Sequence, residues 1–289
     1  MKIALIGSNG QLGSDMIKYF ADRGEEMTGL TQDDIDVCYI DKCEPVLLKI
    51  KPDIVINTAA FHQVDLCEDE GESAFAVNAV GVRNLCSVCN SLDVPLMHFS
   101  TDFVFGADRD RTKPYIEDDC PGPVSLYGIS KLSGEYVIKY MLKKYYLVRS
   151  CGLYGLAGSF GKGSNFVDLM IKLAGEGKKI KVVSDQILTP TSTQDMTEKL
   201  YELIKTGKFG LYHMTNTGQC SWYDFALEIF RLAGIQADIS ATSSSEYVSK
   251  AQRPLYSVLD NKNLREAGIR DFRHWKEALK DYIDLKYAR

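Results

Sequence analysis

A short apolar run, Ile3-Ala4-Leu5-Ile6, passes straight into Gly7-Ser8-Asn9-Gly10-Gln11-Leu12-Gly13. Leu12, Met16, Ile17 and Phe20 then recur at helical spacing, and Gly24 ends the pattern. A strand, three glycines at three-residue intervals and an amphipathic helix leave few folds open. One glycine permits the tight turn, one lets the backbone approach a pyrophosphate, and one lets the helix pack close to the sheet. The helix N-terminus then offers unpaired N–H groups to phosphate oxygens. The bare G-x-x-G-x-x-G pattern says little, but its place between strand and helix selects nucleotide binding over an ordinary turn. Gly7, Asn9, Gly10, Gln11, Leu12 and Gly13 are therefore expected to meet a dinucleotide.

The rest of the first half keeps the alternation. Residues 53–58 (DIVINT), 95–100 (PLMHFS) and 145–149 (YYLVR) read as strands. Residues 72–92 and 126–142 read as helices. Parallel strands need crossovers, and helices supply them. The expected fold is α/β, a doubly wound parallel Rossmann-type sheet over residues 1–150. Residues 151–289 are expected to form a smaller α/β substrate lobe, partly interleaved with the first. A glycine-rich stretch at 151–164 leads into it. Strands are expected at 180–183 and 211–214, and helices at 193–206, 221–233 and 272–287.

Composition excludes several classes of partner. The net charge is −5, with no basic stripe, which argues against nucleic acid. No apolar run approaches the roughly 18–20 residues of a membrane span. The N-terminal apolar stretch is too short for a secretory leader, so a cytoplasmic protein is expected. The eight cysteines are then expected to be thiols. Cys86 and Cys89 form a lone C-x-x-C inside a helical stretch; packing is the expected role, and no metal site is predicted.

Catalytic chemistry is carried by Tyr127-Gly128-Ile129-Ser130-Lys131. A Tyr and a Lys four apart share one helix face. A phenol titrates near pH 10, and a neighbouring ammonium, with the charge of an oxidised nicotinamide, draws it toward neutrality. The 95–100 strand runs into Ser100-Thr101-Asp102 at the sheet edge where such folds bind ligands. The acid expected after the second strand, to hold a ribose 2′-hydroxyl, is replaced by Thr31 if that strand ends at Leu30. No Arg stands there for a 2′-phosphate; Asp33 or Asp34 offers an alternative carboxylate. NADPH and NADH both remain open. Asp36 and Val37 are placed at the adenine, with a solvated turn as the alternative for Asp36.

These motifs together resemble the extended short-chain dehydrogenase/reductases, and within them the dTDP-4-dehydrorhamnose reductases, over nearly the whole chain. The specific parts are 100–105 (STDFVF), Val64-Asp65 with Glu68, Asn165-Phe166, Asp185-Gln186 with Pro190-Thr191, and Arg253-Pro254. The resemblance implies that Thr101, Tyr127 and Lys131 are catalytic. Hydride would pass from NADPH or NADH to the keto carbon of a 4-keto-6-deoxy nucleotide sugar, with Tyr127 giving the proton. Thr101 would bond the sugar oxygen, and Lys131 would lower the Tyr127 pKa and hold the nicotinamide ribose. The resemblance adds Thr58, Ala59, Ala60 and Asn78 to the cofactor contacts. It assigns His62, Val64, Thr101, Asp102, Phe103, Asn165 and Arg253 to the substrate. A capping role for Asn165 and a surface ion pair for Arg253 are the alternatives. Gly152 stands where the family often has Trp, which implies a roomier sugar pocket. A homodimer is consistent with the resemblance. Dehydratases carry a second carboxylate where this chain has Phe103, and epimerases lack the Asp; both are disfavoured rivals. A non-catalytic regulatory subunit of the same fold is the rival from another class.

Overall fold

A computed structural model describes residues 1–157 and 163–287. Residues 158–162, with Gly158 and Gly161 of the glycine-rich stretch, lie outside the described residues. The chain runs β1 (Lys2–Ile6), α1 (Gln11–Ala21), β2 (Glu26–Leu30), α2 (Ile40–Ile50), β3 (Ile54–Asn57), α3 (Val64–Asp69) and α4 (Gly71–Phe75). A π-helical stretch, Ala76–Gly81, leads into α5 (Val82–Leu92). Then come β4 (Leu96–Thr101), α6 (Leu126–Met141), β5 (Tyr145–Ser150), β6 (Leu153–Tyr154), α7 (Phe166–Gly175), β7 (Ile180–Val183), β8 (Ile187–Leu188) and β9 (Thr191–Ser192). The chain ends with α8 (Thr193–Thr206), β10 (Gly210–His213), β11 (Cys220–Ser221), α9 (Trp222–Ala233), β12 (Ile239–Thr242), α10 (Lys262–Glu266) and α11 (Trp275–Tyr287).

The main sheet has six parallel strands in the order β10-β5-β4-β3-β1-β2. β3 and β4 are buried along their whole length, which explains their unbroken apolar runs. One face packs Met16 and Phe20 of α1 against Met196, Leu200 and Leu203 of α8. The other packs Cys43 and Leu47 of α2 with Leu85, Cys86 and Cys89 of α5 and Ile138 of α6. Both cysteines of the C-x-x-C are therefore core side chains. A third cluster, built on Tyr154, Phe225, Trp275 and Tyr282, forms the core of the C-terminal elements. All eight cysteines are free thiols. Among the described residues no helix is long and apolar enough to cross a membrane, and no group of metal-binding side chains occurs.

Two elements depart from the sequence reading. The helix expected over 72–92 begins earlier, as α3 and α4, and is widened at Ala76–Gly81. There the Asn78 carbonyl lies so close to α6 that a Cβ on Gly134 would come within 2.3 Å of it. The strand expected at 211–214 belongs to the main sheet, paired with β5, rather than to the C-terminal lobe. With α8 on α1, this is where the two parts of the chain interleave.

Candidate active site

The glycine turn takes the form its spacing demands. Gly7 has φ +79°, and a Cβ there would strike the Thr58 hydroxyl at 2.5 Å. A Cβ on Gly13 would lie 2.4 Å from the Gly7 carbonyl, so only glycine lets α1 start this close to β1. Gly10 is the N-cap of α1 and no side chain caps it, which leaves the first helical N–H groups, Gln11 to Gly13, facing the turn. That cradle fits a pyrophosphate. The Leu12 side chain is in the core, so only its backbone can serve a cofactor. Gln11 reaches across to accept the Gly155 N–H at 3.0 Å. Asn9 is exposed at the tip of the turn.

β2 ends at Leu30, so Thr31 is the first residue beyond it. Its N–H and hydroxyl both donate to the Asp34 carboxylate at 2.8 Å. Those bonds hold the Asp34 pKa below its usual range. Asp36 accepts the Cys38 N–H, and Val37 is buried against Gly81. Ala59 and Ala60 follow β3, half-buried. The Thr58 hydroxyl is tied to the Ile6 and Gly7 carbonyls, so it closes the strand ends. Asn78, expected at the cofactor, acts as a clamp. It accepts the Phe61 N–H, and its amide donates to the Phe61 carbonyl and the Ser130 hydroxyl.

The three catalytic candidates converge at the carboxyl edge of β4. Ser125 caps α6, and Glu68 accepts the Leu126 N–H at 2.9 Å, so two side chains fix the start of the helix that carries Tyr127 and Lys131. The Thr101 hydroxyl donates to Asp102 at 3.0 Å and lies in hydrogen-bond reach of the Tyr127 phenol. Phe103 packs edge-on against the Tyr127 ring. Burial pushes the phenol pKa above its ordinary value, with the Thr101 bond opposing and Asp102 reinforcing. Lys131 does not reach out to lower it. Its Nζ donates to the Phe99 carbonyl at 2.6 Å and meets His98 Nε2 at 3.3 Å. Burial brings its own pKa down to about 8, against the opposing pull of Glu135. In this state the phenol is a retained acid, not a poised phenolate.

A cleft opens beside these groups, lined by Asp102, Phe103, Cys151, Gly152, Gln186 and Arg253 among others. Asp102 is buried, and the Cys151 thiol donates to it at 2.9 Å. Arg253 lines the cleft and also pairs with Asp65 at 2.8 Å. His62 and Val64 lie half-buried beside Ala60 and at the start of α3. Asn165 takes the capping position: its oxygen accepts the Asp168 N–H at the start of α7, and its amide donates to Gly155 and Tyr282. No part of that amide is left for a diphosphate. Gly152 has φ +55°, and a Cβ there would come 3.0 Å from Leu188 and 3.3 Å from Pro190. The missing aromatic therefore does not simply leave room. Neither Asn57 nor His98 was given a catalytic role from the sequence. Both had a signal, a polar residue set inside each of two apolar runs.

A family profile described as the RmlD substrate binding domain matches residues 1–287. The chain belongs to that family. It is 38% identical to the spore coat polysaccharide biosynthesis protein SpsK of Bacillus subtilis, over 98% of this chain and 96% of that protein. It is 37% identical to the dTDP-4-dehydrorhamnose reductase of Mycolicibacterium smegmatis, over 98% and 85%. The crystal structure of dTDP-4-dehydrorhamnose reductase from Bacillus anthracis, in complex with NADP, superposes with a TM-score of 0.93 at 35% identity, over 99% of this chain and all of that one.

Proposed function

We propose that this chain is an NADPH-dependent reductase that converts dTDP-4-dehydrorhamnose to dTDP-L-rhamnose, with NADH also accepted. The observation that carries the reading is the convergence of Thr101, Tyr127 and Lys131 beside the cleft that Asp102 and Arg253 line. Family membership and the NADP-bound relative support it. When bound, the reduced nicotinamide supplies the hydride. Tyr127, kept protonated by burial, gives its proton to the carbonyl oxygen as that oxygen gains charge. Thr101, in reach of the phenol, bonds the sugar oxygen. Lys131 lies one turn on and offers the charge that steadies the phenolate left behind. Asp102, Phe103, His62, Val64 and Arg253 surround the sugar nucleotide, and the Arg253 fork suits its diphosphate. Phe103 leaves no second carboxylate for dehydration.

The reading includes a cytoplasmic location and a homodimer, the latter checked by sedimentation. Its central test is a panel of keto-sugar nucleotides with NADPH and NADH, followed by product analysis. Tyr127→Phe should lower turnover about 10²–10⁴-fold while cofactor still binds. Binding of nucleotide without reduction of any sugar would replace the reductase with the regulatory-subunit reading.

A further inference from the structure

Lys131 sits at the end of a buried chain of hydrogen bonds whose directions can be read one after another. The Ala59 N–H donates to Asn57 Oδ1 at 3.1 Å, which fixes the orientation of that amide. Asn57 Nδ2 therefore faces His98 Nδ1, at 3.1 Å, as a donor. An imidazole nitrogen that accepts carries no proton, so neutral His98 bears its hydrogen on Nε2. Nε2 faces Lys131 Nζ at 3.3 Å, and Nζ also donates to the Phe99 carbonyl. An ammonium has three donors and no acceptor. Set against Nε2–H, it would put donor against donor. A neutral amine can accept from His98 and still donate to Phe99.

We propose that His98, oriented by Asn57, is a positioning residue that favours the neutral amine of Lys131 in the cofactor-free protein and thereby lowers the pH at which the Tyr127–Lys131 pair changes charge. This rests on the role given to Lys131 above. The surroundings agree. Asn57, His98 and Lys131 are all almost wholly buried, and burial, the larger cause, holds the His98 pKa well below its usual value, so the imidazole stays neutral. Charged and titratable groups near the pair are few. Glu135 is one turn along α6 and closed on Arg149. Tyr127 is one turn back. On β5, the residue paired with His98 is the apolar Leu147. Glu135 favours the ammonium and His98 opposes it.

The test is imidazole nitrogen NMR on the ¹⁵N-labelled, cofactor-free protein, which has four histidines to assign. His98 should show the neutral Nε2–H form throughout the range in which the protein stays folded. An Nδ1–H form or an imidazolium would overturn the proposal. Lys131 is followed in parallel through its ¹³Cε signal. His98→Leu removes the donor and should move the Lys131 titration up by about one pH unit, the scale of one hydrogen bond on an ionisable group. Asn57→Asp offers His98 Nδ1 an acceptor and should move it the same way; it also serves if His98→Leu does not fold. A titration unmoved in the folded variant overturns the proposal. The kcat/KM pH profile of each variant should shift with the titration. If Tyr127→Phe keeps turnover while the NMR results hold, the catalytic assignment fails and the wiring stands.

Discussion

Glu135 is the perturbation that most separates this structure from a generic fold of its class. Its carboxylate is fully buried on α6 and closed on Arg149 by two bonds, Nε at 2.9 Å and Nη2 at 2.7 Å. It also accepts the Ser100 hydroxyl at 2.5 Å, one residue before Thr101. Glu135→Gln keeps the shape but leaves the Arg149 guanidinium, 1% exposed, without its counter-charge. Lys139, 4.0 Å from the same carboxylate, loses its partner as well. Removing one partner of a buried pair costs about 3–5 kcal/mol, because the remaining charge is stranded. At about 2–4 °C per kcal/mol for a chain approaching this size, the melting temperature should fall by roughly 6–20 °C. Replacing both partners by Met should recover most of the loss, since no charge then stays buried. A second effect has a definite sign. Glu135 raises the Lys131 pKa, so its loss should move the activity profile to lower pH, opposite to His98→Leu. Urea and thermal unfolding of the two variants, with kcat/KM against pH for the single one, make the assay. A single variant within 1 kcal/mol of the parent would show that Arg149 finds solvent, and the reasoning would fail.

Gly13→Ala should weaken NADPH binding about ten- to a hundredfold in a fluorescence titration, because its Cβ would meet the Gly7 carbonyl at 2.4 Å and overpacking of this kind costs about 1–3 kcal/mol. Glu25, bonded to Lys205, the N-terminus and Tyr201, has its pKa lowered to about 2. Its stabilisation, about 2 kcal/mol, should be full above pH 4.5 and fade as pH falls through 2, so Glu25→Gln should flatten acid unfolding there. Gly152→Trp, at φ +55° and hard against Leu188 and Pro190, should lower stability and turnover with every sugar tested; tighter sugar selection with unchanged stability would contradict the crowding seen there.

What was legible in the sequence follows from how each element is held. β3, β4 and α6 are set by local pattern, an apolar run bounded by breakers or an apolar stripe behind a Ser cap, and the sequence shows them nearly to the residue. β10 is not set locally. Residues 210–213 look like any short strand, and only packing far along the chain seats them beside β5. The π-helical widening at 76–81 follows from the close approach of Gly134, which no single-segment pattern contains. In the site, Thr101, Tyr127 and Lys131 were visible because their spacing is their chemistry. Asn165 was given both a ligand and a capping role, and Asn165-Phe166-Val167-Asp168 just ahead of an apolar stripe is the capping pattern the structure realises. His98 was hidden by the apolar run around it.

The Val64-Asp65…Glu68 motif gains a physical meaning from its geometry. Asp65 and Glu68 lie three apart on α3, so a six-residue helix can present both carboxylates. Asp65 accepts from the Ala251 N–H, the Ser249 hydroxyl and the Arg253 guanidinium, which hold its pKa below the usual carboxylate range despite partial burial. Lys250 adds an ion pair to Asp69 at the end of the same helix. Glu68 faces the other way and takes the first N–H of α6. The segment that brings Arg253 to the cleft and the helix that carries Tyr127 are thus referenced to one short element, although 126 positions separate the two residues in sequence. The placement of the Arg253 guanidinium relative to the Tyr127 phenol therefore does not depend on the packing of the two parts of the chain alone. It is fixed by charge-assisted bonds at both ends of α3, each stronger than a neutral one. This accounts for two acids, where one would suffice to cap a helix, in a motif that touches neither hydride nor proton.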